Sequence, residues 1–341
     1  MNEPQEATMK RTKFAAALAV LTLLTTLTGC GQAKEADGAL EPVTLNEVAH
    51  SIFYAPQYAA IELGYFKDEG IALTLVNGAG ADKVMTSLIS GDADIGFMGS
   101  EASIYVYQEG SADYAVNFAQ LTQRAGNFLV GRSAEPDFSW QDLKGKKVLG
   151  GRAGGMPEMV FEYILKKNGI DPKNDLTIDQ SINFGLTAAA FTSNDADYTV
   201  EFEPFATTLE TEGNGTVVAS LGVDSGYVPY TAYCARGSYL KENEKNVQNF
   251  VNALKKGMEY VSSHTPEEIA KTIQPQFKET DLDVITRIVR RYAEQDTWKT
   301  DLNFEKESFE LLQDILTDAG ELKERVPYEK LVTVKYTENR K

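Results

Sequence analysis

The chain has 341 residues, 43% of them hydrophobic, enough for a normal core and too apolar for wholesale disorder. Its net charge of −17 argues against nucleic-acid binding and against broad electrostatic adhesion to anionic lipid, both of which reward clustered Lys and Arg.

The first element is an export signal. Lys10, Arg11 and Lys13 form a positive region, FAAALAVLTLLTTLT (14–28) an apolar one, and Leu27-Thr28-Gly29-Cys30 a small-residue cleavage site. The apolar run is shorter than the about 20 residues a spanning helix needs. The expectation is a lipoprotein leader, 1–29, with lipid on Cys30 and a tether over 30–42; the start stays open between Met1 and Met9. Cleavage removes three positive and two negative charges, taking −17 to −18. With Cys30 lipidated, Cys234 has no disulfide partner; in TAYCA it reads as a buried small hydrophobe.

From residue 43 short β-like runs alternate with amphipathic helices. Strands are predicted at 43–49, 71–76 and 93–99, with helices at 54–66, 81–90 and 100–108. The grammar recurs with strands at 146–151, 175–181, 197–202 and 216–222 and helices at 157–169, 184–193 and 203–211. Alternation at this spacing implies βαβ units and a largely parallel sheet. SGDADIGFMGSEA (90–102) answers to SNDADYTVEFEPFA (193–206), each placing Asp-Ala-Asp between a helix and a strand. Two related α/β lobes follow from this pairing. After Tyr239 the pattern turns helical, at 240–262, 266–274, 280–294 and 304–318.

The leader, the helix APQYAAIELGYFKDEGI and the strand GDADIGFMG together resemble the solute-binding proteins of ABC importers, in the branch covering taurine, alkanesulfonates, nitrate and thiamine-pyrimidine precursors. The resemblance covers about 43–235 well and the helical tail loosely. It implies an α/β protein of the type II periplasmic-binding-protein fold: two Rossmann-like lobes, a cleft between them and a C-terminal helical extension. The expected division is 43–130 for the first part of lobe one, 131–230 for lobe two, and 231–335 for the return segment and its helices, with hinge crossings near Gly131–Arg132 and Tyr227–Tyr230. It implies a small-molecule solute, ABC permease and ATPase partners, a monomer, no cofactor, and residence on the outer face of the cytoplasmic membrane through the N-terminal lipid alone.

Ligands of open parallel sheets sit beyond the strands' carboxyl ends, where helix N-termini offer unpaired N–H groups. That rule selects His50, Phe53, Tyr54, Gly80, Ser100, Glu101, Arg152, Gly154, Gly155, Phe184, Glu201 and Tyr230 as candidate ligand-binding residues. GGRAGGMP lacks the Gly-Lys-Ser/Thr ending of a phosphate loop, and reads either as a backbone-close polar site or as a tight turn. Arg152 within it either clamps an anion or is a solvated surface arginine. The aromatics suit a flat heterocycle, or belong to the core. Glu101, Glu201 and Glu203 disfavour a bare oxyanion and suit a ligand with N–H donors, although Glu203 also fits as a partner of a helix dipole. Metal binding is not expected, because His50 and His264 lie far apart and no His/Cys cluster exists.

Two rivals remain. The fungal enzyme of thiamine-pyrimidine synthesis shares the implied fold, but the cysteine-rich loop it relies on is missing here. A ligand-presenting sensor lipoprotein would call for a fused kinase or a spanning helix, and neither pattern is present.

Overall fold

The computed structural model describes residues 39–151, 153–182 and 185–338. Cys30, Arg152 and Phe184 lie outside these.

Among the described residues ten strands form two five-stranded sheets. The first sheet holds β1 (Glu41–Glu47), β2 (Ile71–Asn77), β3 (Ile95–Gly99), β4 (Ala115–Thr122) and β10 (Thr231–Arg236), in the order β2-β1-β3-β10-β4. The second holds β5 (Asn127–Gly131), β6 (Lys147–Leu149), β7 (Thr177–Asp179), β8 (Tyr198–Phe202) and β9 (Thr216–Ser220), in the order β7-β6-β8-β5-β9. The helices are α1 (Ala55–Glu62), α2 (Tyr65–Asp68), α3 (Ala81–Ser90), α4 (Glu101–Gln108), α5 (Met156–Lys167), α6 (Thr187–Ser193), α7 (Phe205–Thr211), α8 (Leu221–Ser225), α9 (Gly237–Glu242), α10 (Glu244–Ser263), α11 (Pro266–Ile273), α12 (Leu282–Glu294), α13 (Lys306–Ala319) and α14 (Tyr328–Leu331). No helix among the described residues is long and apolar enough to cross a membrane.

The sheets are mixed, against the expectation of a largely parallel one. β1 runs parallel to β2 and β3, and β6 parallel to β7 and β8, as βαβ units require. β10 runs antiparallel between β3 and β4, and β5 antiparallel between β8 and β9. The two orders are equivalent, with the antiparallel strand fourth in each. In the second sheet that strand opens the segment, and in the first it is the returning chain. Because β5 belongs to the second sheet, the first passage between sheets falls at residues 123–126 and not at Gly131–Arg132. The second, 221–230, contains α8 and ends where the Tyr227–Tyr230 crossing was expected.

The duplicated Asp-Ala-Asp has one job in both copies. The Asp94 carboxylate accepts from the Thr44 amide at 2.8 Å, and the Asp197 carboxylate accepts from the Lys147 amide at 2.9 Å. The backbone returns each bond, Asp94 N–H to Thr44 O and Asp197 N–H to Lys147 O. Each aspartate thus clamps the start of the strand that follows it, β3 or β8, to a strand of the same sheet that runs parallel to it, β1 or β6, satisfying backbone groups there.

Helix 54–66 is broken at Gly64, whose φ of +75° ends α1 and turns the chain into α2. α10 crosses α1 closely: at Gly257 a Cβ would lie 2.3 Å from Pro56 O. β4, β5 and β10 are buried along most of their length, so they carry no polar-apolar alternation. Cys234 sits in β10 as a buried free thiol, pushed up to about 12 by burial.

Candidate functional site

The carboxyl ends of β1, β3 and β8 meet the two passages between sheets. Thr231 pairs with Gly99 at the end of β3, which sets Tyr230 there, and Asn127 pairs with Phe202 at the end of β8. The Tyr230 hydroxyl donates to Asn127 Oδ1 at 2.7 Å, joining the two sheets' strand ends. Phe53 packs edge-on against Tyr230 (5.8 Å between centroids) and Phe202 (6.0 Å), and tilted against Tyr292 (5.0 Å). Such pairs contribute about 0.5–1.5 kcal/mol each beyond their buried area. Tyr54 lies edge-on to Phe97 at 4.5 Å. The Trp298 indole N–H donates to Phe53 O at 2.8 Å and pins the 3-10 turn Ile52–Tyr54 that precedes α1.

A buried carboxylate, Glu47, ends β1. Its Oε2 accepts from Gln57 Nε2 (2.7 Å) and the Tyr58 hydroxyl (2.9 Å), and its Oε1 takes His50 Nδ1 at 2.7 Å. His50 Nε2 lies 2.9 Å from Gln276 O. Two acceptors on one imidazole require both nitrogens to carry protons. The Glu47 bond accordingly holds the His50 pKa above its ordinary value, against the opposing effect of burial. His50 therefore serves as counter-ion to Glu47 and leaves no ring nitrogen for a ligand. Its ring packs on Tyr58 and Phe277.

Ser100 is buried and its hydroxyl donates to Pro229 O, tying β3's end to the second passage. Glu101, in the first turn of α4, is buried with its carboxylate folded back over Gly99. Gly80 precedes α3 and donates its N–H to Val48 O. In the second sheet Glu201 is 1% exposed; Thr199 Oγ1 (2.6 Å) and Thr187 Oγ1 (2.9 Å) donate to its carboxylate. Burial raises its pKa to about 7, against the lowering effect of the two threonines. Glu203 is a paired structural group: its carboxylate accepts from Thr207 N–H and Oγ1 at the start of α7 and from Arg291 Nη1 (2.5 Å), while Arg291 Nη2 reaches Glu210 (2.6 Å).

The Gly-rich turn is held by its own helix. Gly154 N–H donates to Glu158 Oε2 at 3.1 Å, and Gly155 caps α5. Gln180 Nε2 donates to Glu158 Oε1 at 2.8 Å. The Glu158 pKa is raised to about 8, first by burial and then by Glu162. Across from the turn, the Tyr105 hydroxyl on α4 donates to Gly154 O at 3.3 Å, so the turn faces α4. Among the described residues no group of three or more His, Cys, Asp or Glu could hold a metal ion.

Phe53, Tyr54, Ser100, Glu101 and Tyr230 are thus brought to one end of the first sheet, with Gly154 facing α4 and Glu201 at the end of β8. Gly80 and His50 follow the carboxyl ends of β2 and β1, at that same end of the sheet. The Glu47–Gln57–Tyr58–Tyr233 network and the Arg291–Glu203 pair went unselected by the strand-end rule. A charged residue amid the apolar run of β1 was the available signal for Glu47.

This arrangement is the fold of periplasmic solute-binding proteins. The structure resembles the periplasmic nitrate-binding protein NrtA of Synechocystis PCC 6803 with a TM-score of 0.71, at 14% identity and over 87% of each chain. The family model described as NMT1/THI5-like matches residues 52–269, and the chain belongs to that family. It is 44% identical over 316 residues to the Bacillus subtilis (strain 168) protein named "Putative binding protein YtlA", covering 93% of both chains. A more distant relative, 25% identical over 229 residues (61% of this chain, 63% of the other), is the 4-amino-5-hydroxymethyl-2-methylpyrimidine phosphate synthase THI11 of Saccharomyces cerevisiae.

Proposed function

We propose that the chain is the extracytoplasmic solute-binding subunit of an ABC importer, held at the outer face of the cytoplasmic membrane by lipid on Cys30. One lobe is built on the first sheet with the C-terminal helices and one on the second. They move about passages 123–126 and 221–230 and close on a small organic solute. A closed state that binds solute about 10⁴-fold more tightly than the open one is switched almost completely by it, and the permease reads that switch. The observation that carries the reading is the convergence of strand carboxyl ends from both sheets on the two passages, tied by Tyr230 and Asn127. Enclosed aromatics and the carboxylates Glu101 and Glu201 favour a flat heterocycle with N–H donors, such as a thiamine-pyrimidine precursor or a flavin, over a bare oxyanion.

The 25% match to a synthase supports a second reading, an enzyme of the pyrimidine-synthase-like branch. Thermal-shift and calorimetric titration with aminopyrimidines, riboflavin, taurine and nitrate separates the two. A solute-binding protein gains several degrees at a hundredfold excess over Kd, corresponding to about 2.7 kcal/mol, and returns the solute unchanged. Turnover of any probe overturns the importer reading, and the absence of a shift with every probe overturns the ligand classes named here.

A further inference from the structure

Helix α12 is packed on one sheet's side of the molecule and bonded to the other. Its apolar residues Ile285, Ile288, Val289 and Tyr292 are buried. The helix packs on α11 and on the 3-10 turn Ile52–Tyr54, with Tyr292 against Phe53. At its C-terminal end Arg291 and Gln295, four residues apart and therefore on one face, reach the second sheet instead. Arg291 Nη1 donates to Glu203, just past β8, and Nη2 to Glu210 on α7. The guanidinium also lies 5.2 Å over the Phe128 ring of β5. Gln295 Oε1 accepts from the Ser220 hydroxyl at the end of β9 (2.7 Å), and its Nε2 donates to Ala125 O in the first passage (3.1 Å).

The chain beyond α12 extends this grip to both passages. Thr297 O accepts from Gln123 N–H at 2.8 Å, and the Asp296 carboxylate accepts from the Tyr227 hydroxyl at 2.7 Å. A Cβ at Gly222 would lie 2.4 Å from Ala125 O and 2.9 Å from Gln295 Nε2, so the two passages and the Gln295 side chain meet at one point. The apolar face of α12 fixes the helix to the first-sheet side without these polar bonds, and the bonds act on groups that the second sheet carries. Rotation about the passages moves Glu203, Glu210 and Ser220 away from a helix that stays with the first sheet. The bonds to Arg291 and Gln295 then break. Those to Arg291 are charge-assisted and among the stronger side-chain bonds. The Glu203 side chain is buried, so parting it from Arg291 strands a charge until water enters the gap.

Resting on the solute-binding reading above, in which two lobes move about these passages, we propose that the stretch from Arg291 to Thr297 is a latch. It supplies part of the free energy of lobe closure from the protein itself, and Arg291 and Gln295 set how often the cleft opens without solute. A weaker latch shifts the population toward the open form, with no change in any group that faces the cleft.

The test is a distance measurement between spin labels in the full chain without added solute. Labels are placed by Lys83→Cys on α3 and Ala189→Cys on α6, exposed positions on the corresponding helices of the two sheets, in a Cys30→Ser background; Cys234 is buried and stays unlabelled. The latch variants are Glu210→Gln, Gln295→Met and the two combined. Glu210→Gln leaves Glu203 paired with Arg291 and keeps an oxygen for the Val217 N–H, so it does not strand a buried charge. The parent is expected to show a dominant short distance and a minor long one. Each variant is expected to raise the long-to-short ratio about threefold to tenfold, the value of one hydrogen bond, and the combination to raise it further. A merely structural role for these residues would lower the melting temperature and leave that ratio unmoved. Two distances in an unchanged ratio overturn the latch and leave the moving lobes standing. A single distance in the parent and in every variant overturns both.

Discussion

Glu201 carries a cost that pH can expose. Its carboxyl titrates near 7 in the fold because burial penalises the charge, against an ordinary value of 4.5. Folding therefore holds a proton that the unfolded chain has released, and stability falls as pH rises from about 4.5 through 7. At about 1.36 kcal/mol per pH unit, the loss between pH 4 and pH 8 is about 3 kcal/mol. Glu201→Gln keeps the size and one carbonyl acceptor for Thr187 or Thr199, and removes the titration. The variant is expected to match the parent within about 1 kcal/mol near pH 4 and to exceed it by about 3 kcal/mol at pH 8. Urea unfolding at half-unit intervals of pH gives both curves, and equal m-values license the subtraction. Glu158, which also titrates raised, is present in both proteins and cancels in the difference. Parallel curves for parent and variant would falsify the reasoning, because they would mean that water reaches the Glu201 carboxylate and holds its pKa near the ordinary value.

Gly257→Ala tests the close crossing of α10 over α1. Helix propensity alone would make the substitution stabilising by about 1 kcal/mol. The Cβ instead meets Pro56 O at 2.3 Å and Ala60 Cβ at 2.9 Å, so a loss of about 1–3 kcal/mol is expected in urea unfolding; a gain refutes the packing. Arg291→Met leaves Glu203, whose side chain is 0% exposed, without its cation and should cost about 3 kcal/mol at pH 7. Adding Glu203→Gln to that variant should recover more than half of the loss, and a double variant no more stable than the single one refutes the pairing.

Where sequence reading succeeded, a local rule and the tertiary fold agreed. The βαβ grammar located β1, β2 and β3, and β6, β7 and β8, because parallel strands with crossover helices keep their signals contiguous in the chain. The paired Asp-Ala-Asp was legible for the same reason: each copy acts on a strand of its own sheet. β4, β5 and β10 escaped because their information is not local. β10 is completed only when the chain returns between β3 and β4, more than a hundred residues after β4 ends, and Ala232, Tyr233, Cys234 and Ala235 are buried along both faces. No period-2 pattern survives in such a strand. The first passage was consequently placed at residue 131, five residues beyond its end, with β5 on the wrong side of it.

The site divides in the same way. The strand-end rule selected Tyr54, Ser100, Glu101, Glu201 and Tyr230 from topology alone, and the structure places them near strand ends. The rule could not say which of them still have hydrogen-bonding capacity to offer, since that is settled by partners distant in sequence: Pro229 for Ser100, Asn127 for Tyr230 and Gln276 for His50. Those partners are scaffold, and a hydroxyl or imidazole engaged by scaffold recognises nothing.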